Sequence, residues 1–117
     1  MDNSDFCEQY NVTLYKLKSN YIHLYIIKIL FTSEFNIYVK YGKQNGTDNI
    51  EKTTKCIDKE DAILQFNKIF ISKTDNEYSN NLTNFIEKED KYSIHFPEKE
   101  HNHIINAKQN VNDKYIG

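Results

Sequence analysis

A chain of 117 residues with a formal net charge of −2 is long enough for one hydrophobic core and too short for two. Nine Tyr and seven Phe supply large side chains to that core, while three Gly and one Pro exclude a low-complexity linker. No run approaches the roughly 20 apolar residues that a membrane span requires, the first twenty residues show no secretory signal, and the longest apolar run, Leu24 to Phe31, is broken by Lys28.

Cys7 and Cys56 are isolated thiols, a spacing that fits neither a disulfide framework nor a zinc site. A reducing compartment, nucleus or cytoplasm, is the expectation, and the Asn-x-Ser/Thr triplets at Asn11, Asn45 and Asn81 then follow from an Asn-rich composition. All 15 basic residues are Lys. Charge is unevenly spread: from Tyr10 to Cys56, seven Lys stand against Glu34, Asp48 and Glu51, and from Asp58 to Glu98 five Lys stand against nine acids. The first part can present a basic face, although ordinary solvated surface would give the same count.

In chain order, residues 1–9 read as a polar arm. Val12 to Leu17 has strand character, and Tyr21 to Phe31, with apolar side chains on both faces, predicts a central, well-covered strand. Thr32-Ser33-Glu34 makes a turn. Phe35, Ile37, Val39 and Tyr41 alternate with Asn36, Tyr38 and Lys40, a period-two strand. Gln44-Asn45-Gly46 follows as a hairpin signal, because both Asn and Gly tolerate φ > 0. The next strand is expected over Ile50 to Ile57.

A helix over 58–72 is the clearest element. Asp58 is a good N-cap, acids fill the first turn, and Ala62, Ile63, Phe66, Ile69 and Phe70 form one apolar stripe. Beyond it, a polar loop carries Tyr78, Leu82, Phe85 and Ile86. Tyr92, Ile94 and Phe96 predict a short closing strand stopped by Pro97, and residues 98–117 read as a flexible polar tail. The expected fold is α+β: a curved antiparallel sheet with one helix on one face, occupying residues 10–97.

Three blocks resemble the WGR domain of poly(ADP-ribose) polymerases. Tyr38-Val39-Lys40-Tyr41-Gly42-Lys43, after the apolar strand from Leu24 to Leu30, is similar to the signature turn, with Tyr41-Gly42-Lys43 where the family carries Trp-Gly-Arg. Lys59-Glu60-Asp61-Ala62-Ile63 with Phe66 and Lys73-Thr74-Asp75-Asn76-Glu77-Tyr78 resembles the acidic-Ala helix start and the Lys-Thr-x-Asn-x-Trp exit. Asn84-Phe85 and the stretch around Tyr92 look like the closing segment. The resemblance implies a non-catalytic module that contacts the DNA backbone near ends or nicks. Lys in place of Arg keeps the charge and loses the planar fork that grips a phosphate at two points.

On that resemblance the candidate DNA-binding residues are Lys40, Tyr41, Gly42, Lys43 and Lys55, with Lys52, Lys16 and Lys18 able to widen the basic face. Tyr41 shares strand parity with Phe35, Ile37 and Val39, so it is either the last core residue of that face or, if Gly42 kinks the chain, a ring turned outward onto a deoxyribose or terminal base. Gly42 reads as a backbone requirement, φ > 0 or close approach. Tyr78 reads as a lid over the helix end. His101-x-His103 has no third ligand and makes a weak metal signal. No nucleophile elbow, phosphate loop or dinucleotide fingerprint occurs, so no residue is assigned catalysis and no cofactor is expected. Two further readings stay open: a module docking onto a polymerase-like protein, and an inactive remnant of an ADP-ribosyltransferase that uses NAD.

Overall fold

The computed structural model describes residues 3–79 and 82–97. Alternating apolar side chains lay down four consecutive antiparallel strands, β1 (Asn11–Lys18), β2 (Tyr21–Phe31), β3 (Phe35–Lys43) and β4 (Ile50–Lys55), in the sheet order β1-β2-β3-β4. Register fixes which side chains share a face: Leu14 lies opposite Tyr25, which lies opposite Tyr41, and Val12 opposite Ile27, which lies opposite Val39. That face is the buried one. Helix α2 (Lys59–Thr74) crosses it over β2 and β3, and Leu14, Ile27, Ile29, Ile37, Ala62, Phe66 and Phe70 are sealed between the two layers. One helix on one face of an open antiparallel sheet is therefore the architecture, as the apolar patterning predicts.

Capping accounts for where α2 begins. The Asp58 carboxylate accepts from the Asp61 amide at 2.8 Å, and the Asp61 carboxylate accepts from the Ile57 amide at 2.8 Å, so two otherwise unpaired donors are satisfied reciprocally. The helix runs two residues past the predicted Ser72. Thr74 is fully buried and donates its hydroxyl to the Phe70 carbonyl at 2.8 Å, and Asp75 then ends the helix in the left-handed conformation, its amide bonded to the Ile71 carbonyl. Ile63 and Ile69 complete the apolar stripe from its margins, half-buried against the core.

Two other expectations differ. Residues 3–8, read as part of a polar arm, form a short helix α1 (Asn3–Glu8), because Phe6 buries its ring against Tyr10 and Phe35. The predicted closing strand is a single bridge: Tyr15 and Ser93 exchange two backbone hydrogen bonds of 2.8 Å, and the ladder goes no further. The reason lies in competing partners. The Lys91 amide, which the next rung would use, is taken by the Lys88 carbonyl, and the His95 amide, on the other side of Ser93, by the Ser93 hydroxyl. The tail 98–117, with His101 and His103, lies outside the described residues.

Aromatic rings fill the space between α2 and the returning chain. Tyr78 packs against Phe66, Phe70 and Tyr10 and donates its hydroxyl to the Gln9 carbonyl, which ties the N-terminal segment to the helix exit. Asn76 clamps the loop that follows: its side-chain amide donates to the Ile86 carbonyl at 2.8 Å and accepts from the Ile86 amide at 2.9 Å. Both signature residues of the helix exit thus act within the fold.

Burial raises the pKa of Tyr25, Tyr78 and Tyr92 above the ordinary phenol value. A phenol whose folded pKa exceeds its unfolded value contributes stability that is complete below the unfolded pKa and is lost as pH rises past it. Cooperative alkaline unfolding is therefore expected to set in above about pH 10, with tyrosinate absorbance and the loss of far-UV circular dichroism rising together. Ionisation of every tyrosine with the dichroism intact would contradict this.

Candidate nucleic-acid interface

Strand direction gathers the β1–β2 and β3–β4 turns at one end of the sheet. Beyond the end of α2 the helix-side face continues for two more rows: Lys16 opposite His23, which lies opposite Lys43, and then Lys18 opposite Tyr21. Alternation puts these side chains on the same face as the core residues Leu14, Tyr25 and Val39. Here the face is polar and open.

Aromatic rings floor this end. Tyr25 and Tyr41 stack at 5.0 Å with planes 10° apart, and Tyr92 meets Tyr25 edge-on at 5.8 Å. Lysines ride on the rings: the Lys73 ammonium lies 4.7 Å from the Tyr25 centroid, Lys43 4.4 Å from Tyr21, and Lys16 5.8 Å from Tyr92. Lys16 also donates to the Asp90 carbonyl at 2.8 Å. Burial, with Tyr41 and Tyr92 alongside, raises the Tyr25 pKa, so the ring beneath Lys73 is a neutral phenol. Partial burial first, then Lys18, Lys43 and Lys16, lower the pKa of His23, which shows that three cations converge on one imidazole.

The Tyr41-Gly42-Lys43 turn is built by close approach. Gly42 has φ +153°, and a Cβ there would stand 2.1 Å from the Asn49 side-chain oxygen. This backbone does not turn Tyr41 outward: the ring remains on the helix-side face, half-buried against Tyr25. Lys43 is exposed at the rim. Of the candidates read from the sequence, Tyr41, Gly42 and Lys43 come together with Lys16 and Lys18. Lys40 lies on the opposite face of the sheet, paired across strands with Ile26 and Glu51. Lys55 lies opposite Asn36, at the far end of β3 from Lys43, and forms an exposed ion pair of 3.3 Å with Glu34. At about 3.3 Å per residue the two lysines are roughly 23 Å apart along the sheet.

Sequence reasoning did not single out His23, Tyr21, Tyr25, Tyr92 or Lys73 for the site. The signal for three of them is the odd-numbered parity of Tyr21, His23 and Tyr25 with Ile27 and Ile29, which puts them on the core side of β2 beyond the reach of the helix. Lys73 and Tyr92 arrive from distant parts of the chain, joined by the hydrogen bond from the Tyr92 amide to the Lys73 carbonyl.

The arrangement offers cations and flat rings. No group of three or more His, Cys, Asp or Glu able to hold a metal ion occurs among the described residues, and no helix among them is long and apolar enough to cross a membrane. The four-stranded meander, helix α2 across one face and the aromatic-lysine turn define a small β-sheet module with a basic end. The WGR domain family model matches residues 10–85, and the chain belongs to that family. WGR domains are non-catalytic nucleic-acid-binding modules found in poly(ADP-ribose) polymerase-like proteins. No curated protein matches the chain.

Proposed function

We propose that the protein is a DNA-binding module that engages ends or nicks through backbone phosphates, using the aromatic-lysine end of its sheet. The observation that carries this reading is the cross-strand row Lys16–His23–Lys43 beside the Tyr25–Tyr41 stack, in a member of a nucleic-acid-binding family. Lysine ammoniums neutralise phosphates and release counterions, an attraction that does not depend on base sequence. Half-buried Tyr41 leaves its rim beside Lys43, suited to packing against a sugar or an exposed terminal base. In this reading Lys43, Lys16 and Lys73 are the phosphate contacts, while Lys40 and Lys55 face other directions. The setting is intracellular, nucleus or cytoplasm, in a DNA damage response, with a poly(ADP-ribose) polymerase-like protein as the fitting partner.

Titration of nicked, blunt and single-stranded DNA at two salt concentrations tests the proposal. Binding of nicked and blunt duplex ahead of single strands, with an affinity that falls steeply with salt, is the expected result. Equal affinity for a closed circular duplex without ends would remove the end-reading part, and salt-independent binding would remove the phosphate part.

A second reading has one observation in its favour. Ile57, Leu64 and Ile71 recur at seven-residue spacing on and just before α2 and are all exposed. Leu64 and Ile71 make an apolar stripe on the solvent side of the helix, the form of surface that a partner helix covers. If docking on a helical domain of a polymerase-like protein is the function, Leu64→Lys with Ile71→Lys abolishes that binding in a folded protein and leaves DNA affinity unchanged.

A further inference from the structure

The basic end of the sheet contains a group that its lysines do not explain. His23 stands directly between Lys16 on β1 and Lys43 on β3, and Lys18 lies one row away on β1. A protonated His23 would face a lysine on each side, and like charges directly opposite each other across strands destabilise a sheet, whereas sheet surfaces ordinarily answer a cation with a carboxylate. Here the lysines are held by neutral groups: Lys43 over the Tyr21 ring and Lys16 on the Asp90 carbonyl. Asp48, in the β3–β4 turn, lines a small recess with Lys43, and no carboxylate is among the groups that shift His23. Tyr21 packs its ring 5.0 Å from the imidazole and fixes its place in the row.

An anion resolves this arrangement. A phosphodiester set over the row meets two ammoniums and an imidazole, and its charge favours the protonated ring, which then gains a donor for the phosphate oxygen. We propose that the row Lys16–His23–Lys43 is a phosphate subsite in which the His23 imidazole takes up a proton as the phosphodiester arrives, so that this domain binds nucleic acid more tightly in mildly acidic than in neutral solution. The inference rests on the proposed DNA-binding function and adds to it the identity of a contact residue and a proton linkage.

The sign follows from the field. In the free protein partial burial and Lys18, Lys43 and Lys16 hold the His23 pKa below its ordinary value of 6.5. A bound phosphate raises it, so the complex carries more protons than its parts between the two values. Affinity therefore rises as pH falls through that window and levels off on either side. The gain is about tenfold for each unit by which binding raises the pKa.

The test uses a rhodamine-labelled nicked duplex with 5′-hydroxyl ends, so that every phosphate is a diester without a titration in the range, at constant ionic strength from pH 5 to 8. The wild-type protein is expected to bind more tightly toward the acid end. His23→Gln should flatten the profile, and His23→Lys should bind tightly and equally at both ends of it. In parallel, the His23 ring resonance in the wild-type full chain gives its pKa free and saturated with the duplex, which covers the case of a variant that does not fold. A rise on saturation supports the subsite. Salt-dependent binding with an unmoved His23 pKa, or with a His23→Gln profile that tracks the wild type, overturns the subsite and leaves the DNA-binding proposal standing. No salt-dependent binding at any pH overturns the DNA-binding proposal itself.

Discussion

Phe66→Ala is expected to destabilise the protein by about 3–5 kcal/mol, the range for emptying a large aromatic position in a close-packed core. Phe66 has no exposed surface and sits in the middle of α2, with Tyr10 edge-on at 5.3 Å and Tyr78 at 4.8 Å. The loss therefore includes two aromatic contacts, each worth about 0.5–1.5 kcal/mol beyond area. Collapse around the gap is limited, because Tyr78 is anchored by its hydroxyl to the Gln9 carbonyl and Phe70 is equally enclosed. Total stabilities of about 5–15 kcal/mol mean that much of the population would unfold at physiological temperature. Chemical denaturation of Phe66→Ala beside Leu64→Ala checks this, since the exposed Leu64 should cost within about 0.5 kcal/mol. A Phe66→Ala loss under about 1 kcal/mol would contradict the central place of Phe66.

The second large effect is expected at the basic turn, where the two side chains flanking Gly42 should fail in different ways. Lys43→Ala removes one cation from the phosphate track, so affinity should fall for all DNA sequences alike and the salt slope should shrink by about one unit. At 0.1 M salt, a slope contribution of about 0.9 corresponds to roughly eightfold in affinity. Lys43→Arg should tighten binding by supplying the fork that grips a phosphate at two points. Tyr41→Ala should lower affinity with the slope nearly unchanged, because the Tyr41 ring contributes packing on Tyr25 and carries no charge. Gel-shift or anisotropy titrations across a salt series separate the three. A folded Lys43→Ala protein with wild-type affinity and slope would move the interface away from this turn and favour docking through Leu64 and Ile71.

Lys40 and Lys55 show why a site is harder to read than a fold. Both precede or follow the signature turn by a short stretch of sequence, and both carry the charge that a phosphate track uses. Pleating sends Lys40 to the opposite face from Lys43, three residues away. Strand pairing carries Lys55 to the far end of β3, where Glu34 meets it. Lys73, thirty residues beyond Lys43 in sequence, is brought onto Tyr25 because it sits in the last turn of α2, which packs its apolar stripe across β2 and β3.

The same contrast runs through the fold. Alternation in β3, the Asn45-Gly46 turn, the Asp58 cap and the Phe66–Phe70 stripe are local signals, each a consequence of backbone geometry and burial acting over a few residues, and the sequence by itself determined them. The WGR membership is of this kind too, because it rests on spaced blocks of sequence. Tertiary structure alone decided that Phe6 would wind residues 3–8 into a helix, that the Tyr92 amide would join the end of α2 at Lys73, and that Lys16, His23 and Lys43 would form one row. Those outcomes depend on competition for hydrogen-bond partners and on cross-strand register, quantities that exist only once distant segments have met.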